Sequence, residues 1–444
     1  MTQTTATDLN GRARRTPAIP PSTRRSLLAS TVGNVLEWYE WSAYAVFAPF
    51  IAAAMFNPTD PVSGLLSTLA VFAVGFLMRP LGGVVFGAVA DRKGRKFVLI
   101  TTMLMMAGGS LVIGLTPDYG AMGAWASLIL VLARVAQGFA HGGESATANT
   151  YIAEIAPPRH RGLWGSIVFV AIFGGSVLAY AVAGGITSVL PHSSLAEWGW
   201  RIPFILGAFL ALAALYLRRG MEESAVFDEQ SASDSSARPQ AAAPAPEQPK
   251  RRMARSILLM IAMTSGITAA HYTWTAYAST YAISQKGMAA DTAFWVTLLA
   301  QLIALTSLPL WGALSDRVGR RPVMVGFAVL MIALQIPMMN LISGEAWTLL
   351  VASTVSLVTV AIPGALLSAT LSENFPTKVR TRAIGFAYSI SVAVFGGTAP
   401  YLNALFVSNN AGWLFNVYIM VLCACTAAAC LIMKETKGID LRDA

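Results

Sequence analysis

The chain runs to 444 residues, of which 55% are hydrophobic and only 12% charged, with a mean hydropathy of +0.59. A soluble domain carries about 25% charge, so soluble enzymes and soluble binding modules are excluded. The net charge of +9 could suit nucleic acid, but the basic residues lie in short clusters between apolar runs, as in membrane proteins.

In chain order, residues 1–26 form a polar tail bearing Arg12, Arg14, Arg15, Arg24 and Arg25. The apolar run behind it is too long for the core of a signal peptide and is expected to stay as a first membrane helix. Roughly 20 apolar residues cross a bilayer. Twelve such segments follow one another: 28–55, 64–89, 97–115, 122–151, 162–190, 200–218, 256–284, 291–314, 322–340, 346–372, 382–408 and 413–433. The expected fold is therefore an all-α integral membrane protein of twelve transmembrane helices, with one six-helix half over 27–218 and a second over 256–433. Between them, residues 219–255 include the tracts Ser231-Ala232-Ser233-Asp234-Ser235-Ser236 and Pro239-Gln240-Ala241-Ala242-Ala243-Pro244-Ala245-Pro246. Such a composition cannot bury a core and predicts a linker. A short tail, 434–444, ends the chain.

If both ends lie on one side, 27 of the 31 Lys and Arg residues fall on that side. The positive-inside rule then places both termini in the cytoplasm of an inner or plasma membrane. The four exceptions are Arg79, Arg134, Arg201 and Lys286. Cys423, Cys425 and Cys430 all sit in the last span, where packing or lipid contact is expected rather than a disulfide or a metal.

One signature occurs twice. Gly87-x3-Asp91-Arg92-Lys93-Gly94-Arg95-Lys96 after the second span is answered by Gly312-x3-Asp316-Arg317-Val318-Gly319-Arg320-Arg321 after the eighth. Glu154-x2-Pro157-x3-Arg161 recurs as Glu373-x2-Pro376-x3-Arg380, and Phe173-Gly174-Gly175 as Phe395-Gly396-Gly397, at nearly the same offset. Two similar, mostly apolar halves are the pattern of a secondary transporter. In each loop an Asp can face a helix N-terminus or an Arg, and ion pairs there can latch the halves in one state and release them in another. Asp91, Arg92, Arg95, Glu154, Arg161, Asp316, Arg320, Glu373 and Arg380 are the candidate gating residues. The first loop is the more basic, through Lys93 and Lys96, so the main latch is expected at Asp91.

Charge at the bilayer centre costs at least ~2.5–3.5 kcal/mol, so ionisable residues within spans usually face a cavity or a partner. They are Glu37 and Glu40 in span 1, Arg79 in span 2, Arg134, His141 and Glu144 in span 4, and His271 in span 7. By helical spacing Asn34, Glu37, Trp41 and Tyr44 share one face of span 1, and Arg134, Gln137, His141 and Ser145 one face of span 4. Glu37, Glu40, Glu144 and His141 are the candidate proton-coupling groups, with Glu37 foremost because desolvation raises a carboxyl pKa toward neutrality. Glu37 also suits a fixed ion pair with Arg, and Glu144 could stitch helices. Arg134 suits either a substrate carboxylate or a structural pair with Glu37 or Glu40, since a guanidinium matches two oxygens with two N–H groups. Arg79, beside Pro80 and Gly82-Gly83, reads as structural before it reads as substrate-binding. In span 7, His271, Trp274, Tyr277 and Tyr281 form a stripe that could line the cavity, stacking on a planar acid or boxing a quaternary amine; helix packing explains it equally well. Asn34, Tyr44, Arg79, Arg134, Gln137, His271, Trp274 and Tyr277 are the candidate substrate-binding residues. No phosphate-binding Gly-Lys-Ser/Thr loop, metal-spaced Cys/His cluster or catalytic triad order is visible, so neither an enzyme nor a cofactor is expected beyond the proton gradient.

The doubled loop makes the chain similar to the major facilitator superfamily. A narrower set of motifs resembles its metabolite:proton symporter family: Gly33-Asn34-x2-Glu37-Trp38-Tyr39-Glu40, Phe76-Leu77-Met78-Arg79-Pro80-x-Gly82-Gly83, Arg134-x2-Gln137-Gly138, Gly142-Gly143-Glu144 and Ala153-Glu154-Ile155-Ala156-Pro157. Trp198-Gly199-Trp200-Arg201-Ile202-Pro203-Phe204, Phe375-Pro376-Thr377-Lys378-Val379-Arg380 and Glu435-Thr436-Lys437-Gly438 extend the match across residues 33–438. The chain departs from the family in having Glu at position 40, where Asp is usual, and in reading Ser145-Ala146-Thr147 where many members carry an aromatic residue.

The resemblance implies a monomeric symporter that rocks two halves about a central site and imports a metabolite with protons: citrate, 2-oxoglutarate, shikimate, proline or betaine. Tyr272-Thr273-Trp274-Thr275-x2-Ala278 resembles the oxo-acid permeases most, which favours a 2-oxoglutarate-like dicarboxylate. The short C-tail speaks against the osmosensing members, which carry a long coiled-coil tail. The partners implied are a small organic acid, the proton and the lipid bilayer, with no nucleic acid. A channel or a non-transporting sensor is the alternative of a different class.

Overall fold

The structure is a computed structural model and describes residues 21–57, 59–93, 95–142, 152–153, 156–218, 250–375, 380–439 and 441. Among the described residues eleven helices are long and apolar enough to cross a membrane, and the first helix makes the twelfth. We number the spans α1 to α12. Helix α1 is Pro21–Val46, resumed after Phe47 as Ala48–Met55, and α2 is Pro61–Leu77 followed by Arg79–Lys93. They are followed by α3 (Arg95–Leu115), α4 (Ala124–His141), α5 (Arg161–Val189) and α6 (Ile202–Arg218). The second half opens with α7, Lys250–Tyr272, which passes through a π-helical turn at Thr273–Tyr277 into Ala278–Lys286. Then come α8 (Ala290–Val318), α9 (Arg320–Leu341) and α10 (Ala346–Glu373). Helix α11 is Arg380–Ser391, a π turn at Val392–Gly396, and Ala399–Ser408; α12 is Gly412–Ile432.

The helix bounds follow the apolar runs with two differences. Helix α1 begins at Pro21, inside the expected polar tail, and α7 begins at Lys250, inside the expected linker. Apolar content marks only the part of a helix that sits in hydrocarbon, whereas backbone hydrogen bonding carries the helix on into the interfacial zone. The remainder of the tail (1–20), most of the linker (219–249) and the end of span 4 (143–151) lie outside the described residues.

Each half encloses its own interior, and the halves meet along paired helices. Helix α5 runs antiparallel to α8, so Gly162 meets Gly312 at the end carrying the basic motifs, and Gly184 meets the Trp295 ring at the opposite end. Helix α2 meets α11 through Phe76 and Gly397, and α1 meets α7 through Trp38 and Tyr272. Within the first half, α2 and α4 approach until backbone touches backbone. Gly138 faces the Gly75 carbonyl, Gly142 the Arg79 carbonyl, and Gly82 the Phe139 carbonyl, so a Cβ at any of the three would overlap the partner helix. This is the small-residue contact expected where helices associate by packing in lipid, and it fixes Arg79 against α4.

Candidate substrate and proton site

The Phe-Gly-Gly repeat puts an aromatic pair at the centre. A Cβ on Gly175 of α5 would lie 2.7 Å from the Trp38 Cβ, and one on Gly396 of α11 would lie 2.7 Å from the Tyr272 ring. Each half thus uses a glycine to seat the aromatic residue of its own first helix, and Trp38 and Tyr272 stack across the interface with centroids 6.3 Å apart. Around them lie two central cavities of about 10 Å³ each, room for about one water. Trp38, Trp41, Phe72, Ile172, His271 and Tyr272 supply much of their lining. At the end away from the basic motifs the Trp295 indole N–H donates across the halves to the Ser188 hydroxyl at 3.0 Å. Cavities of this size have to widen to admit any substrate.

Beneath the aromatic wall lie the charges, and they belong to the first half. The Arg79 guanidinium is 4.2 Å from the Trp41 ring centroid and 3.8 Å from that of Phe76; Arg134 is 4.0 Å from Trp41 and 4.3 Å from Tyr44. Both guanidiniums thus lie within cation–π range of the one Trp41 ring. Arg79 and Arg134 are 3% and 0% exposed, and in each the Nε and Nη2 groups find no hydrogen-bond partner among the described residues. Arg134 Nη1 donates to Gln137 Oε1 at 2.8 Å, and Gln137 Nε2 donates to Glu40 Oε2 at 3.0 Å and to Ser110 Oγ at 2.8 Å. Ser110 in turn donates to Glu40 Oε2, while Glu40 Oε1 rests against the bare backbone of Gly207 on α6. Glu37 contacts the imidazole of His141, whose ring is edge-on to Trp38 and Trp41.

The predicted residues therefore divide. Glu37, Glu40, Arg79, Arg134, Gln137 and His141 come together, with Tyr44 beside Arg134 and its hydroxyl donating to the Thr68 carbonyl at 3.0 Å. His271 lines the central cavities within an aromatic surround of Trp38, Phe169, Phe173 and Tyr272. The span 7 stripe, by contrast, does not form. Trp274 points into the second half, where its indole N–H donates to Gln335 Oε1 at 3.3 Å and Gln335 donates to Asn416 at 3.0 Å. Tyr277 joins a separate cluster with Ala48, Leu69 and Ala404. The physical reason is the π turn at Thr273–Tyr277, which inserts an extra residue and rotates everything after it off the expected face. Asn34 is half-buried and lines neither central cavity. Glu144 lies outside the described residues. Tyr272, read only as part of the permease-like pattern, and Ser110 were not among the candidate site residues. Tyr272 is masked by the mis-phased stripe, whereas Ser110 offered a signal as a lone hydroxyl behind Gly108-Gly109 in an apolar span.

At the basic end, the second copy of the loop motif closes the two halves together. Asp316 accepts from the Gly162 and Leu163 backbone N–H groups at 2.8 and 2.9 Å, so it sits on the N-terminus of α5, and it also accepts from Arg320 at 2.7 Å. Glu373 accepts from Arg161 of the first half at 3.0 Å, from Arg320 at 3.1 and 3.3 Å, and from Thr436 at 2.7 Å. Arg380 donates to the Ser372, Phe375 and Leu441 carbonyls. Glu435 is driven up by burial, but backbone N–H groups of Arg320, Arg321, Lys437 and Thr436 outweigh this and hold its carboxyl below the usual range. In the first copy, Arg92 is exposed, the side chains of Asp91 and Arg95 are outside the description, and Glu154 is outside it altogether. The described latch is thus the one built on Asp316.

These features match known transporters. The family model for sugar (and other) transporters matches residues 26–444. The alpha-ketoglutarate permease of Escherichia coli K12 is 33% identical over 419 residues, covering 94% of this chain and 95% of the permease. The proline/betaine transporter of Salmonella typhimurium LT2 is 32% identical over 428 residues, covering 95% and 85%. Among solved structures, the proton:xylose symporter XylE bound to 6-bromo-6-deoxy-D-glucose superposes with a TM-score of 0.72 at 19% identity, over 94% of this chain and 97% of that one. The partially occluded inward-open form of XylE from E. coli gives a TM-score of 0.71 at 18% identity, over 92% and 98%. The chain belongs to the sugar (and other) transporter family and, within the major facilitator superfamily, to its metabolite:proton symporters.

Proposed function

We propose that the protein imports a small organic carboxylate, 2-oxoglutarate or a related dicarboxylate, together with protons, by alternating access across the inner or plasma membrane. Both termini, and hence the basic end, face the cytoplasm in this reading, and one chain is the working unit. The observation that carries it is the pair of buried arginines around Trp41 with N–H donors left over. A buried donor without an acceptor costs about 1–3 kcal/mol, and more when charged. A carboxylate reaching this level as the central space widens satisfies those donors in the two-pronged way a guanidinium favours. His271 and the stacked Trp38 and Tyr272 then border the rest of the substrate.

The proton is assigned to Glu40, in place of Glu37. Gln137 bonds to Arg134 on one side and to Glu40 on the other, so the charge on this carboxylate is felt at the anion site. Protonating Glu40 removes the anion nearest Arg134 and frees that cation for the substrate carboxylate; losing the proton restores the internal pairing and weakens the hold. Glu37 and His141 form an adjoining pair suited to relay.

Purified protein in liposomes with an acidic exterior is the test. Radiolabelled 2-oxoglutarate accumulates uphill, about tenfold for each pH unit if one proton is carried. Absence of uphill uptake for every carboxylate offered rejects symport. A second reading has its own observation: Trp38, Trp41, Phe72 and Tyr272 frame one central cavity, and an aromatic box of this kind suits a quaternary ammonium. Faster accumulation of betaine or proline than of 2-oxoglutarate would select that reading.

A further inference from the structure

A third cavity, of about 30 Å³, lies wholly inside the first half. It is lined by Gly33, Leu36, Glu37 and Glu40 of α1, Thr102, Met103 and Met106 of α3, Ala140 of α4 and Ala211 of α6, and it shares no lining residue with the central cavities. Its size suits about two waters, since one needs roughly 10–15 Å³ together with polar partners. Those partners are present in two carboxylates and a threonine hydroxyl. Glu40 is 4% exposed, and its Oε1 atom has no hydrogen-bond partner among the described residues. That oxygen faces α6 at Gly207, one turn before Ala211 in the cavity wall. The other oxygen is already engaged by Ser110 and Gln137.

The cavity also has a direction. Glu40 stands at its deep end and Gly33 lies seven residues earlier on α1, about 10 Å nearer the basic end. On α3, α4 and α6 the residues that meet Glu40 are Ser110, Gln137 and Gly207, and from them the lining residues Thr102, Met103, Met106, Ala140 and Ala211 are displaced by about one to two turns toward the basic end. All four helices therefore contribute the portions that lie toward the basic loops.

We infer that this cavity is a water-filled proton route inside the first half, joining Glu40 to the cytoplasmic side without passing through the substrate cavity. It rests on the proton-symport reading. In its discharge step the O–H bond of protonated Glu40 breaks at Oε1, a cavity water takes the proton and releases one toward the basic end, and Ser110 and Gln137 hold the carboxylate left behind. Arg134, His141 and Glu37 are the charged or titratable neighbours, with Tyr39 alongside, its hydroxyl donating to the Pro203 carbonyl. The separation lets substrate and proton leave by different paths within one opening.

The test fills the cavity without touching a charged group. Ala211→Leu in the full-length protein in liposomes is expected to reduce proton-driven accumulation of 2-oxoglutarate from about tenfold per pH unit to near one. Equilibrium counterflow of the same substrate should stay within about twofold of wild type. Met106→Ala, which enlarges the cavity, is expected to leave both activities intact. Accumulation that survives Ala211→Leu overturns the route. If Ala211→Leu loses counterflow as well, Met103→Phe fills the cavity from α3 and decides by the same ratio; loss of counterflow there too would make the cavity a packing defect and overturn the proposal. A wild-type protein that never accumulates substrate uphill fails the symport reading and the route together, whereas wild-type coupling beside a coupled Ala211→Leu protein fails the route alone.

Discussion

The two halves share a plan but not an interior. Inside the first, Arg134, Gln137, Glu40 and Ser110 form a chain of charged and polar groups, with Arg79, Glu37 and His141 beside it. Inside the second, the described counterpart is neutral: Trp274, Gln335 and Asn416. Both halves interrupt helices, the first at Phe47 and Met78, but the second carries the described π turns, in α7 and α11, prolines within α8, α9 and α10, and the Asp316–Arg320–Glu373 cluster. A group whose charge changes during transport needs neighbours that register the change, and the first half has them. A half that has to bend and release needs weak points and an ionic clasp, and the second has those. On the proposed reading, duplication followed by such a division assigns chemistry to one side of the central cavity and movement to the other.

The comparison breaks most visibly at Arg134. Arg134→Lys keeps the charge and loses the planar fork, and charge-assisted hydrogen bonds are worth about 1.5–3 kcal/mol, so the apparent affinity for a carboxylate should weaken roughly 10- to 100-fold. Binding titrations check this, and unchanged affinity would return Arg134 to a purely structural role. On the movement side, Asp316→Asn removes the charge that holds Gly162 and Leu163. Spin-label distances between the halves at the basic end should then shift toward the open form by roughly the same energy; an unmoved distribution would place the clasp on the first copy of the loop. A smaller, purely structural effect separates the halves again. Gly138→Leu drives a side chain into the Gly75 carbonyl, whereas nothing lies within 4 Å of a Cβ on Gly326 in α9. Overpacking of this kind costs typically about 1–3 kcal/mol, so melting in detergent should fall for Gly138→Leu and hold for Gly326→Leu. Least affected is Trp274→Phe, which loses one hydrogen bond worth about 0.5–1.5 kcal/mol and leaves substrate affinity unchanged, as befits a residue turned away from the cavity.

The twelve spans were legible because lipid demands long apolar runs and because regular helices satisfy their own backbone. The second Asp-Arg-x-Gly-Arg loop likewise pointed to an aspartate that meets both a helix N-terminus and an arginine, while the side chain of Asp91, where the main latch was expected, lies outside the description. Periodicity could also place Glu37, Arg134, Gln137 and His141 on facing surfaces, since α1 and α4 keep regular geometry there. It failed where geometry was irregular: the π turn in α7 sent Trp274 and Tyr277 elsewhere and brought Tyr272 to the centre. The surroundings of Arg79 were illegible for another reason. Its meeting with Trp41 depends on how closely α2 approaches α4, a distance set by Gly75, Gly82, Gly138 and Gly142 together and invisible in any one helix.

The division of labour stands or falls on Glu40. Glu40→Gln keeps an acceptor for Ser110 and Gln137 but cannot take and lose a proton in the working pH range. In liposomes with an acidic exterior, this variant is expected to exchange 2-oxoglutarate by counterflow at a rate near that of wild type while failing to accumulate it. Uphill accumulation by Glu40→Gln at the wild-type level would contradict the account and place the proton elsewhere.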